Sequence, residues 1–151
     1  MRTRVFWALF LSLTLISTAV QAQEPSPGHS RKFVNSPMLP ACAAIAVLDG
    51  NPAAEAATIM IRITKGCIVP WHWHTAKERV VVVQGNGVFE MKEGKTFNVV
   101  PGEFVAMAPK HIHRFTALTD VILYNFPNGP FDIHYVNSAG EEIQPSEALK
   151  H

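Results

Sequence analysis

Charge is scarce in this 151-residue sequence: 17% of residues are charged, and 13 basic residues stand against 12 acidic ones. So even a balance offers no cationic surface for nucleic acid or anionic lipid. The hydrophobic content of 48% excludes a chain disordered throughout. There are two cysteines, Cys42 and Cys67. Their wide spacing excludes a Cys-x-x-Cys redox pair or thiolate zinc knuckle. After residue 20 no segment approaches the roughly 20 apolar residues of a membrane span. Several catalytic signatures are also missing. Phe89 stands where a phosphate-binding loop ending in Gly94-Lys95-Thr96 needs its first glycine, and no His-Glu-x-x-His, Pro-Cys-x-x-Cys or Gly-x-Ser-x-Gly occurs.

What is present begins with an export signal. Arg2 and Arg4 precede an apolar run over 5–16, and small and polar residues end at Val20-Gln21-Ala22. This predicts a signal peptide over 1–22, cleaved to leave Gln23, and a periplasmic or secreted protein without stable membrane insertion. Without Arg2 and Arg4 the charge is 11 basic against 12 acidic residues. Residues 23–33, rich in Pro, Ser and Gly, read as a flexible leader; 34–137 as a single domain; and 138–151 as a polar tail that docks as a strand or short helix, or frays. An oxidising compartment would let Cys42 and Cys67 bridge. Spacing does not decide whether their Cα atoms come within about 7 Å, so both states stay open.

Short runs rich in Val, Ile, Phe and Thr occupy 43–48, 58–64, 79–83, 88–92, 96–99, 104–108, 113–117 and 121–126. They are separated by turn residues such as Asp49-Gly50-Asn51-Pro52, Gln84-Gly85-Asn86-Gly87 and Pro101-Gly102. That pattern predicts an all-β antiparallel sandwich or barrel, with mild helical character only over 52–57.

Chemistry concentrates in Gly66-Cys-Ile-Val-Pro-Trp-His72-Trp-His74-Thr-Ala-Lys-Glu78, continuing to Gly85. Histidines two apart on a strand share a face, with Cα atoms about 6.6 Å apart, so both imidazoles reach one ion. Trp71 and Trp73 take the other face, and Glu78 can add an oxygen from the next strand. The spacing Gly66, five residues, His72-x-His74, three residues, Glu78, six residues, Gly85 matches the first motif of the cupin superfamily at every fixed position. The second motif is partly kept. Gly102 and His113 fit, but Ala108, Lys110 and Ala117 replace its Pro, Gly and Asn. The chain therefore resembles a small exported single-domain cupin over about 43–126, and 129–136 is similar to the closing strand of such proteins.

The resemblance implies a cupin-type antiparallel β-barrel, a double-stranded β-helix of jelly-roll form. It implies one divalent metal held by His72, His74, Glu78 and His113, with iron or manganese favoured and zinc, nickel or copper admissible. His111 would share the face of His113 and support the site from behind or add a ligand. Glu90, Glu103 and Tyr124 are candidates for a general base if they point inward. Two functions follow: a metal-dependent enzyme on a small organic molecule, dioxygenase-like first, or a non-catalytic metal or small-ligand binder or sensor of the periplasm. The expected partner is a small-molecule ligand or substrate rather than nucleic acid, and a homodimer is compatible. His134 reads as surface or packing.

Overall fold

Alternation of buried and part-exposed side chains runs through the chain, and in three strands it is unbroken from end to end. In the computed structural model, which describes residues 31–150, this makes the regular structure almost entirely strand. The expected signal over 1–22 and residues 23–30 of the leader expected over 23–33 lie outside the described residues. Eleven strands are seen among those described: β1 (Ala43–Asp49), β2 (Thr58–Ile63), β3 (Ile68–Trp73), β4 (Glu78–Gln84), β5 (Gly87–Met91), β6 (Thr96–Val99), β7 (Phe104–Met107), β8 (His113–Ala117), β9 (Val121–Asn125), β10 (His134–Val136) and β11 (Glu142–Ile143). One short helix, α1 (Pro145–Ala148), follows.

The strands form two antiparallel sheets, ordered β1-β2-β9-β4-β7 and β11-β10-β3-β8-β5-β6. From β2 to β5, and again from β6 to β10, the chain crosses between sheets at every connection, which closes a jelly-roll barrel. The inner faces supply the core, with Ile59, Val80, Val82, Phe89, Phe115, Val121, Leu123 and Tyr135 buried between the sheets. The tail contributes β11 against β10 and places Ala148 and Leu149 beside the core.

Two expectations are corrected. Residues 52–57 are not helical: the Ala54 and Glu55 amides both donate to the Asn51 carbonyl in a single turn, and the chain then enters β2 with no length for a second one. The closing strand is shorter than 129–136, because Gly129-Pro130 interrupts pairing and only His134–Val136 joins β3. The irregular stretch 127–133 is nonetheless fixed. Phe131 N–H donates to the Pro52 carbonyl at 2.7 Å, and Lys77 N–H donates to Asn128 Oδ1 at 2.8 Å.

Three local features set up the interior. A disulfide joins Cys42, just before β1, to Cys67, just before β3, with Cα atoms 5.8 Å apart. Gly85, closing the first motif, has φ +77°, and a Cβ there would lie 2.0 Å from the Asp120 carbonyl oxygen, so conformation and space both demand glycine. Lys110, at the glycine position of the second motif, keeps the left-handed backbone with φ 61°. That conformation costs a non-glycine residue about 1–2 kcal/mol, and it aims the Lys110 amide at the His74 carbonyl, 2.9 Å away. The second motif is thereby tied to the first.

Candidate metal centre

A bulge aims the histidine pair. Val69 on β3 pairs with Phe115 on β8, and His72 with His113, so two residues of β3, Pro70 and Trp71, face one of β8. Cys67 and Val69 point inward; with unbroken alternation the next inward positions would be 71 and 73. The extra residue resets the phase, and His72 and His74 are buried while Trp71 and Trp73 are not. Proline suits the bulge because it has no N–H for the ladder to lose. Glu78 opens β4 and His113 opens β8, both buried, so four side chains from three strands meet inside the barrel.

Three main-chain carbonyls fix the imidazoles. His72 Nδ1 lies 2.6 Å from the Pro70 carbonyl, His113 Nδ1 lies 2.9 Å from the His111 carbonyl, and His74 Nδ1 meets the Asp132 carbonyl. A carbonyl only accepts, so each Nδ1 carries a proton, and in the neutral form of each ring Nε2 is the nitrogen left to ligate. Ligand nitrogens of the three histidines lie within 4.8 Å of one another and can hold a metal ion. Glu78 Oε2 is 3.3 Å from His113 Nε2 and 3.6 Å from His74 Nε2. Two ligands with bonds near 2.1 Å sit about 3.0–3.4 Å apart around one ion.

Electrostatics leave the cluster in need of positive charge. Burial, followed by repulsion from His113 and His74, lowers the His72 pKa well below 6.5, so this imidazole is neutral. Burial pushes the Glu78 carboxyl up, but positive charge at His74 and His113, with a hydrogen bond from His113, outweighs it and holds its pKa at about 2. Asn125, fully buried at the end of β9, donates through Nδ2 to Glu78 Oε1 at 2.6 Å. Glu78 Oε2 and His74 Nε2 remain buried with no hydrogen-bond partner among the described residues. Facing lone pairs and an anion in an apolar wall are unfavourable unless a cation lies among them, so these residues fit a divalent metal.

The other singled-out residues lie elsewhere. His111 turns its imidazole outward to Glu93 Oε1 at 2.6 Å and reaches His113 only through its carbonyl. Glu90 is bidentate with Arg114 on the outer face, Glu103 is exposed and accepts the Val100 amide, and Tyr124 is part-exposed beside Phe126. None of these three candidate bases lines the metal-facing cavity. Glu90 and Tyr124 have the outward strand phase, opposite to Phe89, Leu123 and Asn125, and Glu103 lies in the turn before β7. Trp73 stacks on His134 at 3.9 Å, and His134 is bracketed by Glu142 and Asp132. The Asp132 carboxylate also accepts the Thr75 amide at 2.8 Å, which fixes the carbonyl that holds His74.

Sequence reasoning missed Asn125, Asp132 and Phe131. Asn125 left a signal, as a polar residue at a core position of the alternating run Val121, Leu123, Asn125. Asp132 acts through its main chain and left none. Phe131, whose ring lies 5.5 Å from that of His74, is placed by an irregular segment with no periodicity to read.

The cupin domain family matches residues 59–124. Solved structures with a similar fold include an RmlC-like cupin from Shewanella frigidimarina, with TM-score 0.60 and 20% identity over 74% of this chain and 94% of that one. The DMSP lyase DddQ from Ruegeria pomeroyi gives 0.62 and 19% over 76% and 65%. The polyketide cyclase RemF from Streptomyces resistomycificus gives 0.63 and 17% over 77% and 87%. No curated protein matches the chain in sequence. At such identities the likeness is one of fold.

Proposed function

We propose that this chain, whose residues 59–124 match the cupin domain family, is an exported metal-dependent enzyme acting on a small organic molecule, with oxygenase-type chemistry as the first expectation. The observation that carries this reading is the meeting of three histidine ligand nitrogens and the Glu78 carboxylate inside an apolar barrel, with His74 Nε2 and Glu78 Oε2 buried without a hydrogen-bond partner. His72, His74, Glu78 and His113 would hold the ion. Four such ligands leave positions free on a metal that takes five or six, which suits iron or manganese first and then zinc, nickel or copper. A bound ion would supply Lewis acidity and, for iron or manganese, one-electron redox chemistry.

The chain's own residues do the rest. The carbonyls of Pro70, His111 and Asp132 hold each imidazole as the tautomer that ligates. Asn125 occupies one oxygen of Glu78 and leaves Oε2 to face the site. Leu39, Ile61, Val69, Val80 and Phe115 exclude bulk water. Among the described residues, Glu78 is also the only one lining the cavity that can take a proton apart from the histidines.

That poverty of proton carriers favours one alternative, a non-catalytic protein that binds a metal or small ligand on the export side. Elemental analysis of protein purified from its native compartment, followed by oxygen uptake and product analysis for iron-, manganese- and zinc-loaded forms, separates the two. The enzyme reading expects near-stoichiometric metal and turnover that disappears in Glu78→Gln and His113→Ala. Ligand binding without turnover for every metal and substrate class would leave the binding protein.

A further inference from the structure

The metal-facing cavity shares a wall with a second pocket. The inner space is about 40 Å³, and a water molecule needs about 10–15 Å³. It therefore admits a few small atoms beside the ligands and no organic ring. Beyond Phe131 and Ile133, which line both spaces, lies a pocket of about 190 Å³ that reaches the surface beside exposed Met38. An apolar cavity of roughly 150 Å³ is enough for benzene, so the outer pocket has room for a single ring.

We propose that this outer pocket is the substrate chamber of the metal centre, that the Phe131 ring decides what passes from it to the ligands, and that the substrate is a neutral molecule of about one ring. The proposal rests on the metal-centre reading above and deepens it. Phe131 is part-exposed and lies with its ring against His74. Its main chain cannot withdraw, because its N–H is held by Pro52 and the next carbonyl holds His74 Nδ1. Only the side chain is free to swing. Ile133 is buried and, being β-branched, stiff about χ1. The opposite wall is fixed as well, since Tyr135 Oη donates to the Met38 carbonyl at 2.9 Å.

Charge selects the ligand class. Among the described residues, neither space is lined by a lysine or an arginine. The outer pocket has Ser36 and Asp132 as its polar residues, and the inner one has Glu78. A substrate carboxylate would meet an acidic side chain at each end of its path and no cationic side chain. A phenol, catechol or diketone carries no negative charge to be repelled by Asp132 or Glu78 on that path.

Protein loaded with cobalt(II), whose visible spectrum reports its ligands, provides the test. Azide, catechol, 2,3-dihydroxybenzoate and 2,3-dihydroxynaphthalene are each titrated into the wild type and the Phe131→Ala, Phe131→Leu and Phe131→Trp variants. Azide, small enough to pass in every case, should perturb all four spectra and shows that each variant has kept its centre. Dihydroxynaphthalene should associate at least about tenfold faster in Phe131→Ala than in the wild type, with Phe131→Leu between them, and catechol about tenfold slower in Phe131→Trp. Dihydroxybenzoate should bind at least about tenfold more weakly than catechol. Equal rates across the variants overturn the role of Phe131, and equal affinity for dihydroxybenzoate and catechol overturns the preference for neutral ligands. A response to azide with none to catechol in any variant removes the chamber while leaving the metal centre. A wild-type spectrum indifferent to azide refutes open coordination itself, and the chamber falls with it.

Discussion

Asn125 is marked in the sequence only as a polar residue in an alternating apolar run, yet it occupies one of the two oxygens of Glu78 and is wholly buried while doing so. Removing it leaves a buried carboxylate short of a donor and free to rotate away from the imidazoles. Asn125→Ala should weaken metal binding by roughly tenfold to a hundredfold, measured by competition with a chelator. Unchanged affinity would mean that Glu78 needs no support. The histidines make a second residue-scale test, because burial and mutual repulsion lower His72, whereas Glu142 and Asp132 overcome burial and raise His134. In the metal-free protein, His72 stays neutral when folded but takes a proton near 6.5 when unfolded, so its contribution to stability is lost as pH falls below that value. His134 has the opposite sign. Its stabilisation is complete below 6.5 and disappears as pH rises through its elevated folded value. Imidazole NMR titration should therefore find His134 cationic at a pH where His72 is neutral with its proton on Nδ1. The reverse order would refute both environments.

At the scale of elements, the bulge in β3 is the feature on which the centre turns. The residues before it, Cys67 and Val69, and those after it, His72 and His74, all face inward only because Pro70 and Trp71 together oppose one residue of β8. Deleting Pro70 should restore plain alternation and force one pair or the other to the outer face. The expected outcome is a folded or partly folded barrel with metal far below one per chain by elemental analysis. Stoichiometric metal in the deletion variant would show that the strand absorbs the change elsewhere. The turn before β8 makes a related point, since Lys110 takes the left-handed backbone that the family pattern gives to glycine and keeps the hydrogen bond to His74.

For the molecule as a whole, the Cys42–Cys67 bridge ties the start of the first sheet to the start of the strand that carries the histidine pair. It closes a loop with a sequence separation of 25, which on chain-entropy grounds is worth about 3.5 kcal/mol. Cys42→Ser/Cys67→Ser should lose stability of about that size in urea unfolding while binding metal when folded. A loss below about 1 kcal/mol would show that the barrel closes without it. The bridge also supports the proposal that the chain is exported. One intact-mass measurement on exported protein addresses both, with a chain starting at Gln23 and lacking two hydrogens as the expected result. A retained Met1 would sink the export proposal.

The sequence by itself determined the all-β class, the family and the three histidines, because each is written in local terms. Period-two alternation makes strands, turn residues separate them, and a fixed spacing brings His72, His74 and Glu78 into one segment with His113 at its set distance from Gly102. Tertiary structure alone decided the rest. Spacing left the two cysteines undecided, and only the packing of β1 beside the approach to β3 brings their Cα atoms to 5.8 Å. Alternation placed the histidines on one face of a strand but not on which side of the sheet, which a bulge settled by pairing with a strand some forty residues away. Asp132, Asn125 and Phe131 reach the site from segments with no motif, through a carbonyl, one amide and a stacked ring. Such contacts depend on where the chain returns in space, and nothing in the neighbouring residues encodes that.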